Sequence, residues 1–283
     1  MNKILTCTDG SRYAASVYAL TAWAAARSSA TVHLLHVIDA HREKAEIVDL
    51  SGNFGFDLGE KFLGELVSLE ESKARLARER GAALLEAAKR HLASLGITGV
   101  VGEQQHGELV ESVIRMEADV DLVVLGCRGE SAGQAKGHLG ANLERVVRES
   151  IRPVLVADQE FRPIQRFVLA HDGGPSAERA VDFALAHPLL RGLECHLVYA
   201  GGEGKGKASL ELAAARLHEA GYVVTSEIAE GHAEKIIAEA VDRVSAQLLV
   251  MGAYGHSRIR ELLVGSTTTA MLRASRVPVL MFR

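Results

Sequence analysis

Cysteine is scarce and scattered. The chain has three, Cys7, Cys127 and Cys195, far apart and without a CxxC pair. Neither a disulfide framework nor a zinc knuckle is suggested, and a reducing cytoplasm fits best. Positive charge is not in surplus: the net charge is −4 over 283 residues, which lacks the basic excess that drives nucleic-acid binding. Long apolar runs are missing as well, and none nears the roughly 18 residues of a membrane span. AASVYALTAWAAA (14–26), which follows Lys3 and Arg12, could pass for the apolar core of a signal peptide. Asp9 interrupts its approach, and a similar Ala-rich segment recurs at 176–186, so it is predicted to be a buried helix of a soluble protein.

Motifs of catalysis are equally thin. No Ser-His-Asp order, H-E-x-x-H or close carboxylate pair stands out, so no catalytic residue is assigned. His33 and His36 lie in the apolar run TVHLLHVI, where positions three apart on a strand point to opposite faces. They are predicted to be core or rim histidines, with no metal site.

What the chain does contain is repetition. KILTCTDGS (3–11) resembles RFVLAHDGG (166–174), TVHLLHV (31–37) resembles ECHLVYA (194–200), and DLVVLGCRG (121–129) resembles QLLVMGAYG (247–255). Gly140 to Pro153 and Gly265 to Pro278 are both 13 positions. Two copies of one domain follow, predicted at 1–158 and 163–283, with the boundary in the polar stretch DQEFRPIQ (158–165). Asp9 to Gly126 spans 117 positions and Asp172 to Gly252 spans 80, an excess of 37. It is placed at about 39–72, where SGNFGFDLGEKF reads as a long loop.

Within each copy, short β-branched runs alternate with helical patterns. The class is predicted as α/β, two tandem open parallel sheets of five strands with helices on both faces. In such sheets ligands collect at the carboxyl ends of strands beside the topological switch point. Asp172 ends the first strand of the second copy and Gly252 the fourth.

The segment MGAYGHSRIRELLVGSTTTAML (251–272) fits that location. Glycine permits positive φ and close approach of a ligand where a Cβ would collide. Ser266 and Thr267 are predicted to open a helix whose first N–H groups lack internal partners and carry about half a positive charge. Anions settle at such ends. Each glycine alone could merely cap an element; the set at this spacing points to phosphate.

Gly252-x2-Gly255-x9-Gly265-Ser266 resembles the ATP-binding signature of the universal stress protein family, G-x2-G-x9-G-(S/T), and Asp172 stands where that family carries an aspartate. The likeness covers essentially the whole chain as two tandem copies. It implies a Rossmann-like fold of the adenine nucleotide alpha hydrolase type and a site for ATP, ADP or AMP with Mg²⁺. Met251, Gly252 and Gly255 would line the ribose and phosphate side, and Gly265, Ser266, Thr267 and Thr268 would hold phosphates. Asp172 and Tyr199 would flank the adenosine or metal. The corresponding set in the first copy is Asp9, Val37, Gly126, Gly129 and Gly140. It departs from the signature: ten residues separate Gly129 from Gly140, and Ala141-Asn142 follow in place of the hydroxyl.

GGEGKGK (201–207) imitates a P-loop, but Ala208 stands where the hydroxyl should be, and a flexible linker is expected. The resemblance implies an ATP-dependent regulatory binder of the stress response; a slow ATPase and a nucleotide-free scaffold are the alternatives. VPVLMF and RPVLVA begin with proline and suit sheet edges. In the family this strand mediates pairing, so the two copies are expected to pair within one chain, with a homodimer or an insertion-bound partner as further options.

Overall fold

The computed structural model describes residues 1–11, 13–38, 56–127, 141–253 and 266–283. Ten strands form one sheet in the order β3-β2-β1-β4-β5-β10-β9-β6-β7-β8. They are β1 Lys3–Cys7, β2 Thr31–Ile38, β3 Val101–His106, β4 Leu122–Gly126, β5 Val154–Ala157, β6 Arg166–Ala170, β7 Glu194–Ala200, β8 Val224–Ala229, β9 Leu248–Gly252 and β10 Val279–Phe282. The helices are α1 Ala14–Ser28, α2 Phe56–Ser94, α3 Leu109–Met116, α4 Ala141–Glu149, α5 Pro175–Ala186, α6 Glu203–Glu219, α7 Ala233–Arg243 and α8 Ser266–Ala274.

Neighbouring strands are parallel except β5 and β10, which pair antiparallel with Leu155 opposite Leu280. The expected class therefore holds, with one refinement: the two five-stranded sheets are continuous with each other. The proline-led strands sit at the outer edge of each half and at the centre of the whole. Pro153 and Pro278 precede their strands and still serve the ladder through their carbonyls, accepting from Val123 and Leu249 N–H at 3.0 Å each.

Because both faces are covered, the inner strands β4, β5, β9 and β10 are almost continuously apolar, and their residues alternate between two cores. Ile4, Leu34, Val124, Leu155, Leu169, Leu197, Val250 and Leu280 pack with α1, α2, α5 and α6. Leu5, Leu35, Val123, Val156, Val168, Val198, Leu249 and Met281 pack with α3, α4, α7 and α8. Segment 14–26 is the buried helix anticipated, with Leu20, Ala24 and Ala25 inside.

Two expectations are corrected. Residues from Phe56 through the predicted insertion loop belong to the 39-residue helix α2; the run EKFLGELVSLEESKARLARER is rich in Glu, Leu, Lys, Ala and Arg, whose helix propensity outweighs Gly59 and Gly64. The preceding part of the insertion lies outside the described residues. GGEGKGK is not a linker: Gly202, in extended conformation, caps α6, which starts at Glu203. A P-loop would need this stretch as a loop around phosphate, and it is the first turns of a helix.

Candidate functional site

The chain leaves β6 through His171-Asp172-Gly173-Gly174 and enters α5 at Pro175, the first helical position, where its fixed φ is preorganised and its missing N–H is no loss. Asp172 Oδ1 accepts the Gly174 N–H at 2.8 Å, and Gly173 has φ +74°, a left-handed conformation that glycine adopts without steric penalty. The same turn recurs in the first half: Asp9 Oδ1 accepts the Ser11 N–H at 2.9 Å, with Gly10 at φ +69°.

What lies beneath the turn differs. His171 is buried; Gly173 N–H donates to its Nδ1 at 3.3 Å, which leaves Nε2 to carry the proton towards Glu178 Oε1 at 3.1 Å. This is the neutral tautomer. Glu178 in turn takes Arg216 at 3.0 Å, and Arg216 reaches Asp182 at 2.5 Å. The chain of contacts ties the end of β6 to α5 and α6. In the first half Thr8 and the Tyr18 hydroxyl, 2.5 Å apart, take that place. Sequence reasoning missed this network because its members lie on three elements and up to 45 positions apart.

β9 runs beside β6, with Ala170 opposite Met251, so strand order reverses between them. A Cβ on Gly252 would stand 2.8 Å from Ser176 Cβ and 3.3 Å from Ala177 N. The bareness of Gly252 thus lets α5 close on the sheet, a helix-packing role known for glycines in Rossmann-type turns. Past it, Ala253 N–H donates to Phe282 O at 2.7 Å, and Ala253 O accepts the buried Thr268 hydroxyl at 2.8 Å. That bond fixes the first turn of α8 at the rim. Ser266 and Thr267 are the first two residues of α8, so the helix opens towards the carboxyl edge as its sequence suggests.

The remaining candidates divide. Met251 has its side chain in the core, 4% exposed, and brings only backbone to the edge. Tyr199, half-buried at the end of β7, lays its ring against Gly206 of α6. In the first half Val37 is half-buried on β2 and Gly126 pairs with Ala157 at the end of β4. Gly255, Gly265, Gly129 and Gly140 lie outside the described residues.

Other reactive groups have structural duties. Burial pushes the Cys7 thiol up to about 12 and raises Cys195 as well, so both are poor nucleophiles. Half-buried Cys127 points its thiol at Leu272 O, 3.7 Å away. His33 faces Glu103 at 3.3 Å, and His36 Nδ1 meets Thr8 O at 2.9 Å. Among the described residues no group of three or more His, Cys, Asp or Glu is arranged to hold a metal, and no helix is long and apolar enough to cross a membrane.

The universal stress protein family model matches residues 1–53 and 200–283. Universal stress protein Slr1230 of Synechocystis is 39% identical over 287 residues, covering 100% of both chains. Universal stress protein Rv2005c of Mycobacterium tuberculosis is 27% identical over 62% of this chain and 65% of its own. Among solved structures, a universal stress protein from Archaeoglobus fulgidus superposes with a TM-score of 0.74 at 20% identity, covering 100% of this chain and 98% of that one. That likeness speaks for the fold, while the full-length relative decides the family. The chain belongs to the universal stress protein family.

Proposed function

We propose that the chain is an adenine-nucleotide-binding regulatory protein, holding ATP, ADP or AMP with Mg²⁺ chiefly at the carboxyl edge of its second half. The observation that supports this most is the adjacency of β6 and β9, which brings the Asp172 turn and the opening of α8 to one edge at the switch point. Phosphates would lie against the first N–H groups of α8, from Ser266 and Thr267, with Gly255 and Gly265 keeping the approach bare. Asp172 and Tyr199 would flank the nucleoside and Mg²⁺, a metal that commonly takes one carboxylate beside phosphates and water. Thr268 acts indirectly, through its bond to Ala253. Such a site regulates by binding one conformation more tightly than another. The first half, with Ala141-Asn142 after Gly140, is the weaker candidate. The three scattered cysteines of the chain, with no CxxC pair, suit a reducing cytoplasm.

The test is to heat the purified protein and identify the released small molecule by mass spectrometry. Wild type should release AMP, ADP or ATP, and Gly265→Val combined with Ser266→Ala should release none while keeping its circular dichroism. Gly252→Val is a poor probe because it also strikes α5. A folded double variant that retains nucleotide overturns the assignment, and a wild type unable to take up added ATP favours a nucleotide-free scaffold.

A further inference from the structure

Each Asp-Gly turn is covered by the helix that follows the second strand of its half. In the first half the His36 ring of β2 lies on bare Gly81 of α2, where a Cβ would stand 2.8 Å from His36 Cδ2. In the second half the Tyr199 ring of β7 lies on Gly206 of α6, where a Cβ would collide with the ring. His36 and Tyr199 are equivalent in the aligned runs TVHLLHV and ECHLVYA. Three positions beyond each glycine stand Leu84 and Ser209, on the same face of their helices as the glycine. Both meet the turn. A Cβ on Gly10 would collide with Leu84 Cδ1, and one on Gly173 would stand 3.3 Å from Ser209 Oγ.

Equivalent places carry opposite chemistry. Leu84, half-buried, lays a methyl group on Gly10 and offers no hydrogen bond. Ser209, also half-buried, is shorter and ends in a hydroxyl. That hydroxyl has no hydrogen-bond partner among the described residues, whereas helical Ser28 turns its own back on Ala24 O at 2.6 Å. Open and half-exposed, it is able to exchange water for a ligand atom. Its place along the edge is defined as well. β7 flanks β6 on one side and β9 on the other, so Ser209 and Tyr199 stand towards the nucleoside end of the site proposed above, and the opening of α8 towards the phosphate end.

We propose that Ser209 contacts the ligand and makes the second half the receptive one: its hydroxyl hydrogen-bonds the nucleoside part of an adenine nucleotide, and Leu84 closes the equivalent place in the first half. This rests on the nucleotide reading and extends it to a residue outside the glycine signature. It also gives the weakness of the first half a second cause, separate from Ala141-Asn142.

Calorimetric titration of the full chain with Mg²⁺-ATP and with AMP tests it. Ser209→Ala should weaken both by about 3- to 10-fold, the worth of one neutral hydrogen bond, with circular dichroism unchanged because alanine suits a helix better than serine. Ser209→Leu, which copies the first half, should remove detectable binding of both. Weakening of ATP alone would place the hydroxyl on phosphate and overturn the assignment. Variants that bind both nucleotides as wild type does overturn the role of Ser209 but not the nucleotide reading; a wild type that binds neither overturns both. The cover itself is checked without nucleotide by amide hydrogen exchange. Leu84→Ala should speed exchange at Gly10 and Ser11, Ser209→Leu should slow it at Gly173 and Gly174, and unchanged rates at both turns overturn the proposal.

Discussion

A methyl group at Gly252 would meet Ser176 Cβ at 2.8 Å and both atoms of the Ser176–Ala177 peptide bond at 3.3 Å, and backbone cannot swing away. Gly252→Ala should lower stability by about 1–3 kcal/mol, the usual range for overpacking, read as a fall in the urea midpoint; an unchanged midpoint would contradict this packing role. Thr268→Val should cost about 1 kcal/mol by leaving Ala253 O without its donor. Asp121 offers a pH test. Burial pushes its carboxyl up, but the N–H groups of Asn2 and Lys3 together with the positive charges of the N-terminus and Arg152 outweigh burial and hold it below its ordinary 3.8. Its contribution is fully present above that pH and fades as pH falls through the lower folded value. Asp121→Asn should therefore lose less stability between pH 4 and strong acid than wild type does, by thermal denaturation; parallel curves would refute it. At this scale the sequence marked special positions better than it explained them. Spacing singled out Gly252 and the family resemblance pointed to Thr268, but their reasons, α5 against the sheet and α8 tied to β9, depend on partners 76 and 15 positions away.

Elements that pack on both sides were easy to read, because continuous apolar strands and amphipathic helices leave the same period wherever they lie. Asp172 was expected to end the first strand of the second copy, and β6 closes two residues before it, at Ala170. Segments outside the core were misread: Gly59, Gly64, Gly202, Gly204 and Gly206 resemble loop punctuation, whereas helix propensity in their neighbours and capping by Gly202 settle the matter. Helix α2 shows the two regimes in one element. Leu92→Ala, at a fully buried position, should cost about 2–5 kcal/mol, whereas Val67→Ala, at 56% exposure, should change stability by less than about 0.5 kcal/mol. Equal effects in thermal melts would mean the Val67 end of α2 is packed on something the fold does not supply.

Whole-molecule coupling follows from the junction. β5 and β10 share a ladder, Arg27 of α1 donates to Leu189 O at 2.6 Å, and Glu144 of α4 lies 3.7 Å from Arg273 of α8. The sole tryptophan, Trp23, is in the first half and reports on it. Leu280→Ala in the second half should therefore shift the Trp23 fluorescence transition along with the circular-dichroism transition; a Trp23 transition that stays put would show that the halves unfold independently. Repetition made the two halves visible from sequence; the proline-led strands read only as sheet edges, and pairing of the two copies was an expectation from the family resemblance. Nucleotide binding belongs to this scale too, because the proposed site draws on both ends of the second half. Amide hydrogen exchange with and without ATP and Mg²⁺ tests it most directly. New protection is expected at Asp172–Gly174 and at Ser266–Thr268, with little change at Asp9–Ser11 and the start of α4; protection absent from the second half, or confined to the first, would contradict nucleotide binding there.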